Sequence, residues 1–213
     1  MLAWAADNGW RADNPALRVE KFKEANDREA WPQEMIDLVR DHGPPWMWQA
    51  VALALYTAQR QGDCLRMRWD QIDKQGRITV RPKKTQKAGV KKLEIMIHPE
   101  LRKVLDTIPR SSVRILNDAR GVPWRSSFAF RASWRKALLK GPLTAIAESK
   151  LVFHSLRRTA VEQMLLSGNS HQLVQSITAQ TYATIERYAA NMRRTELGDA
   201  AIERWDQHGR RKR

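Results

Sequence analysis

Between residues 46 and 58 the chain reads WMWQAVALALYTA, which is apolar on every face of a helix. Such a segment has to lie inside a core, with other elements packed all round it. The 213 residues, 42% of them hydrophobic, are enough to build one main unit around it. The helix ends beside Arg60, where Gly62 is expected to supply the stop and Asp63 a cap for a short DCLRM turn. A guanidinium is thereby placed at the edge of the core.

Upstream, LAWAADNGWRADNPA reads as the last turns of a helix that stops at Gly9. Residues 16–30 are charged, lack an apolar period and read as a linker. Trp31-Pro32 with Glu34 then suits a helix start, since proline fits a first turn and a carboxylate its positive pole. Downstream, RWDQID, RITV and KKLEIMI read as three strands of a small antiparallel sheet, with turns at Lys74-Gln75-Gly76 and Lys87-Ala88-Gly89. Beyond Pro99 the periodicity becomes helical through PELRKVLDTI, SSFAFRASWRKALL, SLRRTAVEQMLLSG, SHQLVQSIT and TELGDAAIERW. The expected fold is therefore mainly α with a small antiparallel β-sheet, an α+β unit.

The charge narrows the function. With 38 Lys and Arg against 23 Asp and Glu, the net charge of +15 favours a polyanionic partner, nucleic acid first. The one cysteine, Cys64, forms no internal disulfide and reads as a small buried hydrophobe. The longest apolar run falls well short of the ~20 residues of a membrane helix, so a cytoplasmic, nucleoid-associated protein is expected. His42, His98, His154, His171 and His208 are scattered without metal-ligand spacing. The nine tryptophans, Trp69 and Trp134 among them, are expected to be packing residues.

In FHSLRRTAVEQMLLSG, Leu156, Ala160, Met164 and Leu165 recur at helical spacing and Gly168 can close the helix. His154 and Arg157, three apart, share one side of the first turn, where free N–H groups and the helix dipole favour an anion. A guanidinium there adds a planar fork for two phosphate oxygens. Arg158 lies about a quarter-turn away and is expected to face elsewhere or to contact flanking DNA backbone.

YTAQRQGDCLRMRWDQID, HSLRRTAVEQMLLSG and SITAQTYATIERYAAN occur in that order, and together they resemble the tyrosine recombinases, the phage-integrase-type DNA strand transferases, over about residues 31–190. The resemblance implies Arg60 as the first catalytic arginine and His154 and Arg157 as the His-x-x-Arg pair. It implies a hairpin lysine in PKKTQKAGVKK, Lys84 first and Lys87 second, and a nucleophile in ERYAA, Tyr188, with Tyr182 as fallback. It divides the chain into a remnant of a preceding core-binding domain (1–15), the linker (16–30), a catalytic domain (31–194) and a C-terminal helix with a basic tail (195–213). Leu197, Ala201 and Trp205 of that helix repeat every four residues and could dock on a neighbouring protomer.

The implied activity is cleavage and rejoining of double-stranded DNA through a 3′-phosphotyrosyl intermediate, by a bacterial or phage-encoded recombinase working as a tetramer on paired sites. The cofactor expectation is none, neither metal nor ATP. A phenol is a poor nucleophile at neutral pH, so Tyr188 needs a base to attack, and His154 is the natural one. Arg60 and Arg157 would clamp the non-bridging oxygens, each contributing roughly 3–4 kcal/mol in the transition state. Lys84 would protonate the leaving 5′ oxygen. Gln180 stands where the family usually has histidine, a neutral donor in a charged position. The interval from Gln180 to Tyr188 is one residue shorter than the common pattern, Ser155 stands where Asp is frequent, and Ala58 where Gly is frequent. Two alternatives stay open: a DNA-binding relative weak or inactive in cleavage, and a type IB topoisomerase-like nicking enzyme.

Overall fold

The computed structural model describes residues 1–17, 29–82, 92–149, 151–190, 192 and 194–210. Its helices are α1 (Leu2–Asp7), α2 (Gln33–His42), α3 (Pro45–Thr57), α4 (Gln61–Cys64), α5 (Pro99–Asp106), α6 (Ser127–Leu138), α7 (Thr144–Glu148), α8 (Leu156–Leu166), α9 (His171–Thr178), α10 (Tyr182–Ala190) and α11 (Arg194–Arg210). Strands β1 (Arg77–Val80) and β2 (Leu93–Met96) pair antiparallel, Ile78 opposite Ile95 and Val80 opposite Leu93. The mainly helical α+β architecture is the one the sequence leads one to expect.

Helix α3 is the axis. Met47, Ala50, Val51, Ala52 and Leu53 are all fully buried, and α2, α5 and α8 pack against the helix. An apolar surface on every side can only be satisfied by neighbours on every side. Next to it Trp46, Trp124, Phe130, Trp134 and Phe153 form an edge-to-face aromatic cluster, with Trp46 and Trp124 centroids 5.2 Å apart and Trp134 and Phe153 5.1 Å apart. Rings arranged this way match positive edges to negative faces.

The start of the unit is clamped across the chain. Trp31 donates its backbone N–H to Thr159 Oγ1 (2.7 Å) and its indole N–H to the Val152 carbonyl (3.0 Å), fixing the segment that leads into α8. Helix α8 closes as expected: Gly168 has φ +90°, its N–H reaches the Leu165 carbonyl (2.9 Å), and the Asn169 N–H reaches that of Met164 (3.1 Å). That is the Schellman pairing.

Three local expectations need correction. RWDQID is not a strand: Trp69–Gln71 form a 3₁₀ turn, and only isolated bridges join Arg68 to Arg114 and Ile72 to Ile78. The Gln71 side chain accepts from the Arg68 N–H (2.8 Å) and Asp70 pairs with Arg68 (2.6 Å), local bonds that compete with a ladder. Helix α3 is stopped not by Gly62 but by Ala58, in the left-handed conformation at φ +52°. Gly62 and Asp63 both lie inside α4, whose N-cap is Arg60, so Asp63 is not its cap. The expected linker (16–30) falls largely outside the described residues, as do Lys84 and Lys87.

Among the described residues no helix is long and apolar enough to cross a membrane. Helix α1 carries no buried residue, and Trp4 and Trp10 pack on each other with centroids 6.2 Å apart.

Candidate active site

The site is built where two helices end. Helix α3 finishes in Thr57-Ala58-Gln59 and α9 in Thr178-Ala179-Gln180, the same tripeptide, and both alanines are left-handed at φ +52°. Each left-handed residue turns the chain sharply, so that Arg60 and Gln180 leave the ends of their helices in a defined direction. L-residues take this conformation at a cost of about 1–2 kcal/mol, which surrounding structure has to offset.

Arg157, in the first turn of α8, is 2% exposed. Its Nη2 donates to the Thr178 carbonyl at 2.6 Å, while its Nη1 is buried without a partner among the described residues. Burial, then the like charge of Arg60, pushes this guanidinium down to about 10, with Tyr188, Asp63 and Cys64 acting in the opposite sense. Arg60 is half-buried, and its Nη1 likewise lacks a partner among the described residues. Two positive forks held together in a low-dielectric edge destabilise each other unless an anion lies between them.

Tyr188 sits on α10, half-buried, with its ring against the small cluster Val161, Val174 and Ile185. The ring thus packs against a cluster to which α8, α9 and α10 each contribute one residue. Arg158 turns towards this ring. Its guanidinium carbon lies 5.5 Å from the Tyr188 ring centroid, with that of Arg187 at 5.7 Å. Arg158 is itself held by Glu162 at 2.6 Å. The helical quarter-turn is right, but α10 packs on α8 and brings the tyrosine to that side.

Gln180 follows the α9 terminus. Its backbone N–H donates to Thr178 Oγ1 (3.2 Å), its carbonyl accepts from Gln175 Nε2 (3.1 Å), and its Oε1 is buried without a partner among the described residues. His154 lies in the 3₁₀ turn Phe153–Ser155 that runs into α8, exposed, three residues before buried Arg157. It also borders a cavity of about 580 Å³ walled by Phe130, Trp134, Leu138, Ile146 and Phe153. Asp63 is buried and pairs with Arg66 at 2.5 Å. Cys64 is fully buried and its thiol is pushed up to about 12 by desolvation, an inert packing residue as expected.

Arg60, Arg157 and Tyr188 are thus neighbours, and Gln180 is fixed through the same α9 terminus that Arg157 grips. One member escaped the sequence reading. Gln59 is 1% exposed and its Nε2 donates to both the Thr57 and the Ile177 carbonyls, each at 2.9 Å. The Thr-Ala-Gln repeated at 57–59 and 178–180 is the signal that could have found it. Among the described residues no three of His, Cys, Asp and Glu come together as metal ligands.

No protein of curated function matches the chain in sequence. Among solved structures, a lambda integrase dimer (residues 75–356) bound to a COC′ core site is similar with TM-score 0.69 and 22% identity, over 87% of this chain and 68% of that one. A lambda integrase tetramer bound to a Holliday junction is similar with TM-score 0.64 and 23% identity, over 84% of this chain and 55% of that one. XerA recombinase is similar with TM-score 0.62 and 19% identity, over 84% of this chain and 65% of that one. The chain therefore spans a little over half to about two thirds of these proteins, and the likeness establishes the fold. In sequence, residues 33–194 match the model of the phage integrase family, and the chain belongs to that family.

Proposed function

We propose that this protein is a site-specific DNA recombinase or integrase that cuts and rejoins double-stranded DNA one strand at a time through a 3′-phosphotyrosyl intermediate on Tyr188. One observation carries the reading. Arg60 and Arg157 each bury a terminal nitrogen without a partner among the described residues, and Arg157 feels the charges of both Arg60 and Tyr188. A phosphate held by both forks would relieve the mutual repulsion of the two cations, and the relief grows as negative charge builds up on the phosphoryl oxygens in the transition state.

The Tyr188 oxygen would attack the phosphorus while His154 takes the phenolic proton, and the bond to the 5′ oxygen would break. Lys84 would supply the proton to that leaving oxygen. Gln180 would add a neutral amide donor to the phosphate. Because one phosphoester replaces another, rejoining to a new 5′ hydroxyl is nearly isoenergetic, and neither metal nor ATP enters the step.

The net charge of +15 supplies the general attraction to DNA. Helix α11 presents Leu197, Ile202 and Trp205 to solvent, 39%, 63% and 76% exposed, and would dock on a neighbouring protomer in a tetramer on paired sites. The test is a nicked suicide substrate in the presence of a chelator. A covalent protein–DNA adduct is expected, and its absence under saturated binding would contradict cleavage.

A second reading, a DNA-binding relative with weak cleavage, is favoured by the neutral Gln180 in place of a charged donor. It predicts saturable binding without adduct.

A further inference from the structure

We propose that Gln59 is the positioning residue that holds Arg60 and Arg157 at the spacing of one phosphate, by tying the carboxyl ends of α3 and α9 together. The proposal rests on the reading of Arg60 and Arg157 as a phosphate clamp. Both helix ends present their partially negative carbonyls, and like ends brought together repel. A single buried amide bridges them: Gln59 Nε2 reaches the Thr57 carbonyl of its own helix end and the Ile177 carbonyl 118 residues along the chain, both at 2.9 Å.

The next carbonyl of α9, Thr178, is the one that Arg157 Nη2 grips at 2.6 Å. Consecutive carbonyls of one helix end are thus taken by Gln59 and by Arg157, and Gln59 is bonded in sequence to Arg60. Displacement of α9 from α3 therefore pulls the Arg157 guanidinium relative to Arg60. Only the donors of the amide are used, since its Oε1 is buried without a partner among the described residues. A side chain of equal length lacking N–H donors cannot substitute.

Gln59→Met keeps the volume and removes both bonds. Two readouts are taken on the full chain. The first, without DNA, is the arginine side-chain ¹⁵N–¹H spectrum, with Arg157 assigned by its loss in Arg157→Lys and the Trp31 indole N–H as a reporter of intact packing. The second is the rate of adduct formation on a suicide substrate at saturating DNA. With the Trp31 signal unmoved, Gln59→Met is expected to shift or broaden the Arg157 signals and to slow adduct formation about tenfold to a hundredfold, the usual consequence of misplacing a reacting group by about 1 Å. Unchanged Arg157 signals would overturn the proposal, and so would an unchanged rate.

If the wild-type protein forms no adduct, the cleavage reading fails, while the Arg157 signals still decide for or against the clamp. Should Gln59→Met not fold, Gln59→Asn is measured in its place. Its amide is one methylene short of holding both carbonyls, and the same two outcomes apply.

Discussion

The guanidinium of Arg157 reaches the Thr178 carbonyl at 2.6 Å with one terminal nitrogen and leaves the other buried and unpartnered. One side chain thus anchors the end of α9 and, in the proposed clamp, keeps a second nitrogen for the phosphate. A lysine has no fork and can do only one of these. Arg157→Lys is predicted to fold and to bind DNA, yet to lose at least about 100-fold in adduct formation under single-turnover conditions.

The same guanidinium gives a pH signature. Pushed down to about 10 by burial and by Arg60, it stays protonated throughout the neutral range. Tungstate, a phosphate mimic, is therefore expected to raise Tm from pH 7 to 9 and to lose this effect as pH rises through about 10. Without anion the sign is opposite. Above about 10, and up to the ordinary arginine value, the unfolded chain keeps the proton that the folded chain releases, so this group makes stability rise with pH. Thermal scans of wild type and Arg60→Ala check both points, with the tungstate effect absent in the variant.

Much of this site was legible in the chain, and what was not has physical causes. The apolar WMWQAVALALYTA run announced the central helix, and HSLRR announced Arg157, because periodicity and helix-start chemistry are local. The turn at Ala58 was missed: an alanine by itself gives no sign of positive φ, and although glycine is frequent at that position in the family, the stop was sought at Gly62 four residues on. The 3₁₀ turn at Trp69–Gln71 was hidden by an alternation that reads as a strand until Asp70 and Gln71 bond back to Arg68. Arg158 on Tyr188 and Gln59 on Ile177 are contacts between distant segments, and no window of sequence contains both partners.

The cation over the tyrosine ring is worth about 0.5–1 kcal/mol at a partly exposed site. Arg158→Ala is expected to slow adduct formation about threefold while leaving DNA affinity within twofold. The companion Glu162→Gln, which removes the ion pair of Arg158 and keeps its charge, should fall between wild type and Arg158→Ala. Quench-flow measurement on a suicide substrate distinguishes them.

Gln180 offers a gain as well as a loss. Restoring a charged donor with Gln180→His is predicted to keep or raise the adduct rate, whereas Gln180→Ala lowers it by about tenfold to a hundredfold. A Gln180→Ala variant as fast as wild type would remove this residue from the pocket.

Backbone strain at the α9 terminus can be relieved independently of chemistry. Ala179 is left-handed at φ +52°, and Ala179→Gly should add about 0.5–1 kcal/mol of stability. For a chain of this size that is a Tm increase of about 1–4 °C in calorimetry.

The central claim is that Tyr188 attacks DNA in the grip of Arg60 and Arg157. Its most direct measurement is peptide mapping of the protein–DNA adduct by mass spectrometry, in wild type and in Tyr188→Phe. The account predicts a phosphotyrosyl linkage on Tyr188 and no adduct in the variant. A linkage on Tyr182, or an adduct that persists in Tyr188→Phe, would contradict it.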